Sequence, residues 1–264
     1  MSNQNSIFGI KLTNIDISSL IKQIMVWISQ GNTLRIINNL NVHAILIAKK
    51  NHEFAKALNK SDIVFCDGFG IKVASKILGT DVGTRMTPPD WIDDLFKVAE
   101  KNSFRLYFLG DENEVIQKFV EQVKTNYPNL VVTGFHDGFF HHDIKLCNQI
   151  VKEISVKEID ILIVGMGMPI QETWIEKNKN QLNVKVTISV GALYRWYTKT
   201  EKRGPKLLTD NGFEWLTRLV MYPQKIWRRY VFELPYFMVL VLFEKIRIIV
   251  SNKASSIGSK NIKT

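Results

Sequence analysis

A repeated unit restricts the fold of this chain more than anything else in it: a short apolar run, then glycine or a small polar residue, then a stretch with the spacing of an amphipathic helix. The runs are Leu34–Ile37, Ile63–Phe65, Arg105–Leu109, Val131–Thr133, Ile161–Val164 and Val184–Val190, and helical spacing covers 16–29, 43–58, 69–78, 90–101, 112–126, 142–155 and 170–181. Several of these strands are apolar at consecutive positions, so both of their faces need cover. Parallel strands joined by crossover helices provide it. The predicted fold class is α/β: a Rossmann-like parallel sheet with helices on both faces.

In such sheets ligands bind beyond the carboxyl ends of the strands. The residues there are Asn38, Asn39 and Asn41, then Asp67 and Gly68, Gly110 and Asp111, Gly134, Asp137 and Gly138, Gly165 and Gly167, and Gly191. Bare amides beside helix N-termini suit an anionic ligand such as a diphosphate. Gly165-Met166-Gly167-Met168-Pro169-Ile170-Gln171-Glu172 is a glycine-rich strand-to-helix turn that can cradle phosphate, with Gln171 as a donor. As a dinucleotide fingerprint it is weak, because the third glycine is missing and no acidic residue ends a strand about 20 residues later.

Two residues carry more specific chemistry. Asp67 follows a strand and opens a helix, where a carboxylate can accept a proton from an attacking hydroxyl; Asp-Gly is equally a turn and cap pair. Arg85 lies in a loop ahead of a helix capped by Asp90 or started by Pro89, and its planar fork suits a diphosphate. A solvated loop arginine is the alternative. His43, His52, His136, His141 and His142 fall at no zinc-ligand spacing, and no Asp-x-Asp pair occurs, so no metal is expected.

Charge is concentrated at one end. Lys and Arg outnumber Asp and Glu by 14 to 5 from Arg195 to Thr264, against 21 to 20 over residues 1–194. In the same region Trp215, Tyr222, Trp227, Tyr230, Phe232 and Tyr236 alternate with Arg218, Lys225, Arg228 and Arg229. Rings beside cations favour the boundary between water and acyl chains, and the four cations can clamp a lipid diphosphate. A solvated helix face is the other reading. The apolar run Leu234–Phe243 is too short to span a bilayer. Two cysteines, Cys66 and Cys147, and an N-terminus without a secretory signal lead to a cytoplasmic expectation. The division expected is an α/β nucleotide-sugar-binding catalytic domain at 1–203, a membrane-associating appendage at 204–250 and a flexible tail at 251–264.

The ordered set of motifs resembles one family, the bacterial WecG/TagA/CpsF glycosyltransferases. The resemblance runs from about residue 8 to 230 and rests on Asn39-Leu40-Asn41, Ser61-Asp62-Ile63-Val64 leading to Asp67-Gly68, Arg85, Phe108-Leu109-Gly110 and Gly134-Phe135-His136-Asp137-Gly138-Phe139-Phe140. It continues through the Gly165–Glu172 turn, Val190-Gly191-Ala192, Arg203-Gly204-Pro205 and Gly212-Phe213-Glu214-Trp215-Leu216-Thr217-Arg218-Leu219.

The resemblance implies an inverting, metal-independent transfer of a hexose, N-acetylhexosamine or its uronic acid. The donor is a UDP-sugar and the acceptor a sugar on polyprenyl diphosphate, in surface polysaccharide synthesis, with no cofactor. It implies Asp67 as general base, Arg85 and Gln171 on the donor diphosphate, Asn41 holding donor or acceptor and Phe139 packing on the nucleotide base. Asn39, Gly68, Gly110, Gly138, Gly165, Gly167, Pro169 and Arg195 complete the donor site, and Arg218, Lys225, Arg228 and Arg229 meet the lipid diphosphate. Arg195 stands where the family usually presents Asp. The enzyme is expected to be peripheral on the inner face of the bacterial plasma membrane, with no nucleic-acid partner and with a homo-oligomer among the open states. Two other classes fit the same residues: a nucleotide-binding oxidoreductase on this scaffold, and a non-catalytic membrane-interaction protein.

Overall fold

The structure is a computed structural model that describes residues 5–31, 33–202, 204–205, 208–209 and 214–260. Side chains are described for these residues except Glu214, Trp215, Arg218, Lys225, Ile226, Arg229, Tyr230 and 252–260. A two-stranded hairpin, β1 (Ser6–Ile7) and β2 (Ile10–Lys11), precedes α1 (Ile17–Gln30). Then follow β3 (Arg35–Leu40), α2 (Val42–Ala48), α3 (His52–Asn59), β4 (Ile63–Cys66), α4 (Phe69–Leu78), α5 (Pro88–Lys101) and β5 (Arg105–Gly110). The α/β region continues with α6 (Asn113–Asn126), β6 (Val131–His136), a 3-10 turn (Phe139–His142), α7 (Ile144–Ser155), β7 (Ile159–Gly165), α8 (Ile170–Asn178), β8 (Val184–Ser189) and α9 (Leu193–Tyr197). The C-terminal segment comprises α10 (Glu214–Met221), α11 (Pro223–Arg228), a π-helical turn (Arg229–Glu233) and α12 (Leu234–Lys260).

The main sheet has six strands in the order β4-β3-β8-β7-β5-β6, every pair parallel. This is the α/β sheet the apolar runs predict. Consecutive strand residues serve opposite faces, as the pleat requires. Ile37, Phe108, Ile163 and Ile188 pack with α1, α5 and α6 on one side, while Ile36, Tyr107, Leu109 and Leu162 pack with α7 and α8 on the other. Toward the β4 edge, Leu40, Val64 and Cys66 join α2, α3 and α4 in a further cluster.

The structure moves several expected boundaries. The helix expected over 43–58 is two helices, because Asn51 turns out of helical conformation and its side chain accepts from Phe54 N at 3.0 Å, capping α3. β3 extends to Leu40, so Asn38 and Asn39 lie inside the strand; their amides donate to Ser61 Oγ and to the Ser189 carbonyl, which makes burial tolerable. α5 starts at Pro88 with Thr87 as its cap, and Asp90 reaches back to accept from Thr87 N at 3.0 Å.

The C-terminal segment shares the core. Phe237 and Val241 of α12 are fully buried in the cluster with Leu40, Ile45 and Ile71. The helix runs on to Lys260, through residues whose polarity suggests a tail. No helix among the described residues is long and apolar enough to cross a membrane.

Candidate active site

A cavity of about 870 Å³ opens at the carboxyl ends of the strands. β3 runs between strands reached in opposite directions, β4 on one side and β8 on the other, so a crevice is left where the chain switches side. The volume is that of a small-molecule or cofactor site. Of the residues picked from the sequence, Asn39, Asn41, Asp67, Gly68, Arg85, Gly167, Gly191 and Arg195 line it.

Asp67 is set by backbone and side chain together. Its amide donates to the Leu40 carbonyl at 2.9 Å, extending the β3–β4 ladder by one bond. Asn41 Nδ2 lies 3.4 Å from Asp67 Oδ2, while Asn41 Oδ1 caps α2 by accepting from Ala44 N at 2.9 Å. One asparagine therefore holds a helix end with one atom and faces the carboxylate with the other. Gly68, at φ +92°, turns the chain sharply behind Asp67 into α4.

Arg85 rides on a clamped loop. Met86 N donates to the Cys66 carbonyl at 3.1 Å, Val82 and Met86 are fully buried, and Lys72 Nζ donates to the Gly83 carbonyl. Asp81 accepts from Asn14 Nδ2 and from Gly83 N. Arg85 Nη2 stands 3.9 Å from Asp90 Oδ2, with a side chain only 17% exposed. A cation held in this way stabilises developing charge with little reorganisation.

Gln171 is elsewhere than expected. It is fully buried, and its Oε1 accepts from Gly167 N and from Gly191 N, each at 3.2 Å. Its Nε2 donates to Glu172 Oε1 at 2.7 Å. The side chain thus ties the loop after β7 to the loop after β8, and it positions the cavity wall where the sequence reading has it touching diphosphate. Glu172 behind it is also buried, and burial pushes its carboxyl up to about 7.

The glycines divide into two groups. Gly167 and Gly191 line the cavity, whereas Gly110, Gly138 and Gly165 are packed on one another: a Cβ on Gly110 would collide with the Gly165 backbone, and one on Gly138 would meet Gly110 Cα and Met166 Cγ at 2.9 Å. Their smallness brings β5, β6 and β7 together. Pro169 caps α8 behind Met168, and Phe139 is 62% exposed outside the cavity lining.

Arg195 is the centre of an ion cluster. Its Nη2 lies 2.8 Å from Asp111 Oδ1 and 2.8 Å from Glu112 Oε1, its Nε donates to Asp111 Oδ2 at 3.1 Å, and Glu201 is 4.0 Å from Nη1. The arginine is thus matched by acids from the β5–α6 turn, and the wall it forms with Glu112 and Glu201 carries no excess of positive charge. That compensation joins residues more than 80 positions apart, so no local signal discloses it.

The C-terminal segment completes the cavity. Glu233, Leu234 and Met238 line it, and His43 Nδ1 pairs with Glu233 Oε2 at 2.9 Å, linking α2 to the turn before α12. The sequence reading missed these lining residues, although the apolar spacing of 234, 237, 238 and 241 signals a packed helix face. Arg228 lies over the Trp227 ring at 5.6 Å, and the side chains of Arg218, Lys225 and Arg229 lie outside the described residues. Among the described residues no three His, Cys, Asp or Glu side chains converge as metal ligands.

The sequence model of the glycosyl transferase WecG/TagA/CpsF family matches residues 5–249. Similar curated proteins include one from Staphylococcus aureus (strain MW2), 26% identical over 243 residues that cover 92% of this chain and 93% of the relative. Another, from Bacillus subtilis (strain 168), is 25% identical over 210 residues, 80% of each chain. A third, from Bacillus spizizenii, is 27% identical over 195 residues, 74% of each. All three are named N-acetylglucosaminyldiphosphoundecaprenol N-acetyl-beta-D-mannosaminyltransferase. A match that spans both the cavity-bearing sheet and the helices that close the cavity places the whole architecture in one group, and this chain belongs to the WecG/TagA/CpsF family of glycosyl transferases.

Proposed function

We propose that this glycosyltransferase moves an N-acetylmannosamine-type sugar from a UDP donor onto N-acetylglucosamine carried on undecaprenyl diphosphate, by inverting, metal-independent displacement. The observation that carries the reading is that Asp67 and Arg85, from separate loops, line one cavity at the switch point of the sheet. The family selects transfer over the oxidoreductase and non-catalytic readings, and the names of the relatives suggest the two sugars.

In the proposed step the acceptor hydroxyl oxygen attacks the anomeric carbon from the face opposite the diphosphate. Its proton passes to Asp67 as the new glycosidic bond forms and the bond from the anomeric carbon to the β-phosphate oxygen breaks. UDP leaves with the bonding electrons. Arg85 balances the charge that grows on it. Asn41 keeps the Asp67 carboxylate oriented.

A membrane surface is the proposed site of action, on the side where nucleotide sugars are made. Phe232, Tyr236, Val239, Phe243, Ile246 and Val250 are all exposed and recur every three or four residues, an apolar stripe along α12 and the turn before it. Such a stripe beside Arg228 suits a helix lying in the interface. The arginines and lysine of α10, α11 and the turn are proposed to meet the lipid diphosphate.

The test is transfer of radiolabelled sugar from a panel of UDP- and GDP-sugars to short-chain polyprenyl-diphosphate-linked N-acetylglucosamine, with chelator present. Wild type is expected to use a UDP-sugar, and Asp67→Asn to lose at least about 100-fold in kcat. Transfer that survives the substitution removes Asp67 from its role. Transfer abolished by chelator removes the metal-independent mechanism.

A further inference from the structure

Phe69 and Trp196 are the large aromatic side chains on the cavity wall among the described residues; Phe69 lies two residues from Asp67 in the chain, and the reaction as proposed leaves it without a task. It opens α4 and is 51% exposed. Ile71, Ala74 and Leu78 of the same helix are buried in the cluster beneath, which Phe69 does not join. The backbone that carries it is fixed on both sides: the turn at Gly68 precedes it, and a Cβ on the following Gly70 would overlap Val42 Cγ2 and stand 3.8 Å from Leu234 Cδ1. The wall of the cavity thus runs from the carboxylate, past an aromatic ring, to Leu234 and Met238 of the helix that bears the exposed apolar stripe.

We infer that Phe69 is the platform on which the acceptor's sugar ring stacks, an inference that rests on the reading of Asp67 as the base for that acceptor. The two substrates place different demands on the cavity. The donor carries a diphosphate, for which Arg85 is suited. The acceptor's reacting ring is uncharged, and it must offer one hydroxyl to Asp67 while the lipid behind it stays toward α12. A pyranose has one face of C–H bonds and a rim of hydroxyls. An aromatic face holds the C–H side by dispersion and by its negative quadrupole, without consuming the hydroxyl that has to react. Phe69 has that chemistry and lies two residues from the base.

The test measures equilibrium binding of two short-chain probes, a polyprenyl diphosphate bearing N-acetylglucosamine and the same polyprenyl diphosphate without sugar. The full-length chain is compared with Phe69→Ala, Phe69→Trp and Asp67→Asn. Wild type is expected to bind the sugar-bearing probe about 3- to 10-fold more tightly, an increment that Phe69→Ala abolishes and Phe69→Trp retains. In steady state Phe69→Ala raises the acceptor KM by a similar factor and leaves the donor KM and the melting temperature unchanged.

An increment that persists in Phe69→Ala overturns the inference, as does a wild type that binds both probes equally. A rise in donor KM instead assigns the ring to the nucleotide. A loss confined to liposome binding assigns it to the membrane. Asp67→Asn separates this inference from the reading on which it rests: if that variant still transfers sugar, the base assignment fails, while the sugar-dependent increment is read independently of turnover.

Discussion

Glu172 is a buried carboxylic acid outside the cavity lining whose burial couples stability to pH. Its carboxyl titrates near 7 in the fold, against an ordinary value of 4.5, because burial disfavours the charged form and the hydrogen bond from Gln171 offsets only part of that cost. Between those values the native state binds more protons than the unfolded chain, so stability declines as pH rises through that window. The decline is on the order of 3 kcal/mol at most. Glu172→Gln keeps an acceptor for Gln171 and removes the titration. Urea unfolding at pH 5 and pH 8 is expected to show a smaller difference for the variant than for wild type, and equal differences would place the pH response elsewhere. At Cys66 burial, with Asp67 adding to it, pushes the thiol up to about 12, so it stays protonated at neutral pH.

At the level of elements the site is made by ends. Helix starts, strand exits and the loop before α5 supply Asn41, Asp67, Phe69 and Arg85; Asn41 is held by the cap it makes on α2, Asp67 by the Leu40 carbonyl, and the Arg85 loop by the Met86–Cys66 backbone bond. Asn41 joins the two functions. Asn41→Ala removes the α2 cap, at a cost of about 1 kcal/mol, together with the contact to Asp67. Asn41→Asp retains a capping oxygen but sets a second carboxylate against Asp67, which disfavours its charge. Thermal melts should therefore show Asn41→Ala less stable than Asn41→Asp, while transfer assays at neutral pH show both impaired. Activity near wild type in Asn41→Asp would mean that the Asn41 amide is not needed to orient Asp67. The two loops joined by Gln171 follow the same logic, since a single buried carboxamide oxygen satisfies one amide from each.

For the whole molecule, the C-terminal segment is both wall and core. A cut after Arg203, at the boundary expected from composition, removes the His43–Glu233 link, Leu234 and Met238 from the cavity and the buried Phe237 and Val241 from the cluster around Leu40 and Ile71. Burial of those two side chains is worth about 4 kcal/mol. The truncated chain is thus expected to melt at a lower temperature and to lose transfer, and its co-flotation with anionic liposomes is expected to fall as well. Unchanged melting would show that α12 contributes nothing to the core. Undiminished flotation would move the membrane contact to the α/β region.

Sheet, helix order and most of the cavity were legible in the chain because each rests on local chemistry. Runs apolar at every position require a sheet covered on both sides, and such a sheet puts its ligand at the strand ends, where Asn41, Asp67, Gly167 and Gly191 were found. Arg85 was legible as a cation ahead of a helix, although the loop that clamps it was not. The placements of Gln171, Arg195 and α12 depend on partners distant in sequence. Gln171 is 20 residues from Gly191, and Arg195 is 83 from Glu112. Whether a polar side chain meets a ligand or a backbone amide, and whether a charge stands alone or is matched, follows from which loops share the crevice, and that is a property of packing across the sheet.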